Sequence, residues 1–251
     1  MDTANPDKSP VLTQDEAILA DFIQTRLNKV QADIKDLIAS GNEDPEPWQQ
    51  CFAYMIRTYG RESEEPFRWF KYYLKAGQIP AAAALPVLVQ IYMDGAVDAG
   101  FANILARVMK KEPEAVRADR IARTGEELAD LMDEDGRVTL YRGSFGKPFG
   151  TEPDGSRPLE KAFNFTLDEK VALGYAGIWY PAKAVLYEIK AAPEDIAWYS
   201  LYDEEKRAIL LPQFKGAGWT LVSEKQLTPA DYVNKMDEKT AKRAYLETFK
   251  R

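Results

Sequence analysis

The 251-residue chain contains no histidine and a single cysteine, Cys51. Without histidine there is no Ser-His-Asp or Cys-His hydrolase, no histidine-ligated zinc and no histidine general base. One cysteine excludes an intramolecular disulfide and a thiolate metal cluster. Cys51 stands among Trp48, Phe52, Met55 and Ile56, the setting of a buried small apolar side chain. No apolar run reaches the length of a membrane span, and the opening Met-Asp-Thr-Ala-Asn-Pro-Asp lacks the parts of a signal peptide. The expectation is a protein that acts in the cytoplasm or is delivered into a target cell, without a membrane partner. Glycine-rich phosphate loops are missing as well, both the Gly-Lys-Ser/Thr kind and the dinucleotide Gly-x-Gly-x-x-Gly kind.

What is present is an ordinary globular composition, 45% apolar and 29% charged, long enough for one large or two small cores. The net charge of −7 disfavours indiscriminate binding to polyanions, while a local basic patch stays open.

Residues 1–12 are polar and punctuated by proline. Thr13 and Glu16 read as a capping box, after which Leu19, Phe22, Ile23, Leu27, Val30, Ile34, Leu37 and Ile38 recur at helical spacing up to Gly41. The stretch 42–47 reads as a linker. Helices are then predicted from Trp48 to Gly60, from Ser63 to Gly77, over Ala81–Met93 and Gly100–Lys111, and as one or two more over Pro113–Asp133. In the third, Phe67, Phe70, Tyr73 and Leu74 fall on one face. That spacing favours core packing over a base-stacking platform built from its aromatic run. At Asp135-Gly136 the period changes from 3.6 to 2, and strands are predicted at Val138–Leu140, Val185–Ile189, Ala208–Leu211 and Trp219–Val222. Glycines and prolines make 143–158 a loop, and Thr228-Pro229 starts a helical tail. The fold class is therefore α+β: an all-helical domain over 1–134, then a sheet-bearing domain over 135–251.

Three segments of the second domain carry chemistry. The first is Val-Thr-Leu-Tyr-Arg-Gly at 138–143, which ends on Arg142 and Gly143. In the second, at 162–176, Asn164-Phe165-Thr166 leads into Asp168-Glu-Lys-Val-Ala-Leu-Gly-Tyr175. Tyr202-Asp-Glu-Glu-Lys-Arg-Ala-Ile-Leu-Leu-Pro212 is the third. In order and spacing they resemble the mono-ADP-ribosyltransferases of the Arg-Ser-Glu class. The sister class needs a His-Tyr-Glu set, which a chain without histidine cannot supply.

The resemblance implies a split-sheet ADP-ribosyltransferase-like domain over 135–251 with a helical tail. It implies NAD⁺ as substrate, no metal, and ribosyl transfer through a cationic transition state to a macromolecular acceptor. Protein is favoured as acceptor, with nucleic acid as the alternative, and an antitoxin or immunity partner accompanies such a toxin, effector or defence role. Arg142 becomes the clamp on phosphate and ribose, since a guanidinium makes paired charge-assisted bonds. Gly143 leaves its backbone open to the nicotinamide amide. Asn164 and Thr166 take the hydroxyl-bearing strand, with Thr166 also capping the next helix together with Glu169. Phe165 stacks near the nicotinamide, and Tyr175 packs the helix or lines the pocket. Trp198, Tyr199 and Tyr202 become aromatics of a target-facing loop, Trp198–Arg207. The family shows Glu-x-Glu before the last apolar strand, and here those two places are Lys206 and Ala208. Alanine cannot stabilise an oxocarbenium ion. Three readings of Ala208 stay open: an inactivating substitution, a natural loss that leaves a non-catalytic NAD- or partner-binding module, or a shifted register in which Glu205 is catalytic. The helical half is read as the part for target recognition, delivery or partner binding.

Overall fold

A computed structural model describes residues 13–145, 159, 162–179, 184–228 and 231. It divides the chain into two compact units, Met1–Asp98 and Ala99–Arg251.

The first unit is helical: α1 Gln14–Ser40, α2 Pro45–Tyr59, α3 Glu65–Lys75 and α4 Ala81–Asp94. α1 and α3 run out at Gly41 and Gly77, both with positive φ, a conformation that favours glycine past a helix end. α2 begins earlier than Trp48 because Asp44 accepts a hydrogen bond from the Glu46 N–H and Pro45 suits a first helical turn. The linker shrinks accordingly to 42–44. Val30, Ile34, Trp48, Phe52, Phe67, Phe70, Leu88 and Ile91 are buried at the centre of this unit. Phe67, Phe70, Tyr73 and Leu74 form the inner face of α3, while Tyr72 points out. Cys51 is half-buried, and burial beside Asp33 pushes its thiol up to about 11, so it stays protonated and unreactive at neutral pH.

The second unit holds α5 Phe101–Lys111, α6 Glu114–Glu127, α7 Glu169–Trp179 and an antiparallel six-stranded sheet. Its strands are β1 Val138–Phe145, β2 Asn164–Thr166, β3 Ala184–Ala191, β4 Ile196–Tyr199, β5 Arg207–Leu210 and β6 Thr220–Gln226, in the order β4-β5-β2-β1-β3-β6. The class is thus helix plus antiparallel sheet. The break between units falls at 98/99, not at 134/135, and the reason is packing. The buried Arg120 of α6 donates to the Ile196 carbonyl at 2.5 Å and pairs with buried Glu112 at 2.9 Å. Leu128, just past α6, is fully buried in the apolar cluster of the sheet with Val138, Leu140, Ile189, Leu210 and Trp219.

β1 runs further than the turn residues suggest. Gly143, Ser144 and Phe145 pair with Leu186, Val185 and Ala184 of β3, so only 146–158 of the expected loop remains, and that stretch lies outside the described residues. The Glu16 side chain, residues 1–12 and, apart from Asp231, the 229–250 tail also lie outside them. On the other face of the sheet, α7 buries Ala172, Leu173 and Ala176 against Ala184, Leu186 and Leu227. Contact there is so close that a Cβ on Gly143 would stand 1.7 Å from the Ala172 carbonyl oxygen. Only glycine admits it.

Candidate functional site

The three sequence segments fall on three neighbouring strands, β1, β2 and β5. Tyr141 of β1 faces Thr166 of β2, so one step on Arg142 stands opposite Phe165. Phe165 is opposite Ala208, Ala208 is opposite Tyr199, and Arg142 is opposite Tyr187. Side chains of directly opposed residues share a face. A single row across five strands therefore reads Tyr187, Arg142, Phe165, Ala208, Tyr199. More than sixty residues separate Arg142 from Ala208 in the chain, yet about 10 Å of sheet lies between them, two strand spacings.

The row changes character along its length. At Arg142 it is polar: Nη1 donates to the Asn164 backbone carbonyl at 2.7 Å and also contacts the Asn164 side-chain oxygen. Phe165 and Ala208, at 4% and 1% exposure, belong to the apolar cluster beneath the row. The Phe165 ring meets Trp219 edge to face at 5.8 Å, so it is a core ring and not a free stacking platform. Tyr199 closes the row by donating its hydroxyl to Glu127 of α6 at 2.5 Å. Burial and that carboxylate hold the phenol protonated well above its usual range.

Thr166 lies on the opposite face, with Tyr141 and Arg207, and its side chain does not meet Arg142. Its Oγ1 donates to the Glu205 carbonyl at 2.6 Å and accepts from the Asp168 N–H at 3.1 Å. The helix cap is Asp168, which accepts from the Lys170 N–H at 2.9 Å, in place of the expected Thr166–Glu169 box. Gly143 likewise serves the contact with α7.

Glu205 also belongs to the α7 side. Its Oε1 accepts from the Tyr175 hydroxyl at 2.6 Å, and its Oε2 lies 3.4 Å from Arg207 Nε. Tyr175 is thus partly exposed and anchors the loop, more than it lines a pocket. The loop itself is shorter than expected, because Trp198 and Tyr199 are strand residues paired with Ile209 and Ala208. Of the three candidate aromatics only Tyr202 stands on it, and it is 97% exposed. The loop ends at Lys206, whose φ of +43° is unusual for a side-chain-bearing residue and turns the chain into β5. Lys206 also lies 3.5 Å from Asp168.

Glu127, Tyr187 and Asp168 escaped sequence reasoning. Asp168 had a local signal, an acidic residue directly before an apolar helix. Glu127 and Tyr187 had none, since register and helix placement alone bring them beside the row. Among the described residues no group of three or more Asp, Glu, Cys or His is arranged to hold a metal ion. No described helix is long and apolar enough to cross a membrane. No family model, curated protein or solved structure matches this chain.

Proposed function

We propose that this domain binds NAD⁺ at Arg142 and belongs to a chain built for transfer of ADP-ribose to a macromolecular acceptor. Protein is the favoured acceptor, and a toxin, effector or defence role the favoured setting. The observation that supports the reading is the row itself. Two motifs distant in sequence set Arg142 and position 208 on one face of the sheet, two strands apart across β2 and within the span of a ribose and its neighbouring phosphate. Arg142 supplies the clamp on anionic oxygens. In such a reaction the carboxylate at the 208 place stabilises positive charge developing on the ribose as nicotinamide leaves.

With Ala208 in that place, a second reading has its own support: a non-catalytic module that holds NAD⁺ or a protein partner. The alanine methyl is buried among apolar neighbours, a setting already packed without a carboxylate. Glu205 serves poorly as a replacement, because its carboxylate is engaged by Tyr175 and Arg207 on the side of α7.

Calorimetry and NAD⁺ turnover separate the readings. The chain is expected to bind NAD⁺ and Arg142→Ala to lose that binding. Ala208→Glu is expected to raise NAD⁺ cleavage on the order of a hundredfold or more. Binding without a gain in Ala208→Glu favours the module. Absence of NAD⁺ binding by the folded parent chain sinks both NAD⁺ readings. If Glu205→Ala abolishes a cleavage already present in the parent chain, the carboxylate is Glu205 and the register is shifted.

A further inference from the structure

We propose that the first half of α1 is a self-association surface on which a second copy of this chain docks antiparallel. α1 has 27 residues, so it is about 40 Å long. Among its described side chains only Val30 and Ile34, in its second half, are buried. Toward the N-terminus the apolar stripe continues uncovered, with Ile18 at 62%, Leu19 at 57% and Phe22 at 51% exposure. Large apolar side chains grouped on one exposed helix face mark an interaction surface. A free helix of a few turns gains little by itself in water.

The charges on the same stripe say what the occupant is. Asp15 lies seven residues before Phe22 and Lys29 seven residues after it. Seven residues are two turns to within about 20°, so all three share one face. Arg26, one turn beyond Phe22, has its guanidinium 4.2 Å from the Phe22 ring centroid. Arg26, Lys29 and Arg57 all gather within 6 Å of the Tyr54 ring centroid, at 5.8, 5.9 and 5.8 Å. Among the described residues none of these three cations pairs with a carboxylate, and Asp15 pairs with no cation. Over residues 15–29 the face is thus acidic at Asp15, apolar in the middle and basic at Arg26 and Lys29, with Phe22 at its centre, and it turns acidic again at Asp33.

A two-fold axis at Phe22 makes such a face its own complement. Phe22 meets the partner's Phe22, Ile18 and Leu19 cover the stems near the partner's Arg26, and Asp15 comes beside the partner's Lys29. The antiparallel arrangement also opposes the two helix dipoles favourably. About four turns of helix bury less than a standard interface, so micromolar affinity is the expected scale. This inference is independent of the NAD⁺ reading.

Sedimentation velocity of the full chain over a concentration series tests it. A monomer–dimer equilibrium is expected. Phe22→Asp should weaken it about a hundredfold with an unchanged circular dichroism spectrum, because an exposed position is being altered. Asp15→Lys and Lys29→Asp should each weaken it roughly tenfold. An equimolar mixture of those two variants should recover the parent affinity, since the mixed dimer restores both charge pairs. A parent chain that stays monomeric at high micromolar concentration overturns the proposal. So does a dimer indifferent to Phe22→Asp, or a charge-variant mixture no tighter than its components. Binding of a monomer to anionic phosphatidylserine vesicles, lost in Phe22→Asp, would assign the face to a membrane surface instead and likewise overturn the self-pairing.

Discussion

Two stretches of the sheet's central row, around Ala208 and around Arg142, differ in how they are held. At the β4–β5 end, Ala208 and Phe165 are sealed in apolar packing and α6 clamps the edge through Arg120 to Ile196 and Glu127 to Tyr199. On β1, Arg142 keeps polar company with Asn164. The same face of the same sheet is therefore apolar core on both sides of one polar position, Arg142, with buried Tyr187 beyond it. Under the proposed NAD⁺ reading, a single substitution is expected to be felt in stability at Ala208 and in ligand binding at Arg142.

The clamp is the strongest lever on that contrast. Arg120→Ala leaves the Glu112 carboxylate buried without its partner, and urea unfolding should register a loss of roughly 3–5 kcal/mol. A loss below about 1 kcal/mol would mean that α6 does not anchor the β4 edge.

Ala208→Glu probes the sealed end directly. Beyond its expected effect on NAD⁺, it inserts a carboxylate between Phe165 and Tyr199 and should lower stability by roughly 2–4 kcal/mol at neutral pH. An apolar site accepts the protonated form more readily, so the folded carboxyl titrates above its unfolded value. Relative stability is then higher at low pH and falls as pH rises through the folded pKa. Thermal melts across the acid range check the sign. Full stability at neutral pH would show that the 208 side chain reaches polar space, and positions 208 and 142 would be alike.

Lys206→Gly carries the smallest effect. Glycine adopts φ of +43° without the penalty borne by lysine, so this variant should gain up to about 1 kcal/mol, less the ion pair with Asp168 and the added freedom of the unfolded chain. A marked loss would mean that the Lys206 side chain, and not its backbone turn, sets the entry to β5.

Much of the helical unit was legible because its information is local. The spacing of Phe67, Phe70, Tyr73 and Leu74 and the stops at Gly41 and Gly77 need no distant partner. The same locality gives the helix of α1 but not its cover, since Leu19 and Phe22 keep the helical period of Val30 and Ile34 yet are exposed. Periodicity says which face is apolar and not what covers it. In the sheet unit, the strand containing Arg142 is visible as an alternating run and that containing Ala208 as an apolar run, whereas the sequence assigns Trp198 and Tyr199 of β4 to the loop. Ile196-Ala-Trp-Tyr is an edge strand whose extended conformation is completed by pairing with β5, a partner the local sequence does not show.

By itself the sequence determined the α+β class and the chemistry denied to a chain without histidine. It also named the three segments that carry the resemblance, because composition and short-range pattern are properties of neighbouring residues. Tertiary structure alone decided that Arg142, Phe165 and Ala208 share a row while Thr166 turns to the other face. It decided too that Gly143 serves the packing of α7, and that α5 and α6 belong with the sheet. The physical reason is that strand register is fixed by hydrogen bonds between residues remote in the chain, and one step of register exchanges every side chain between the two faces of a sheet.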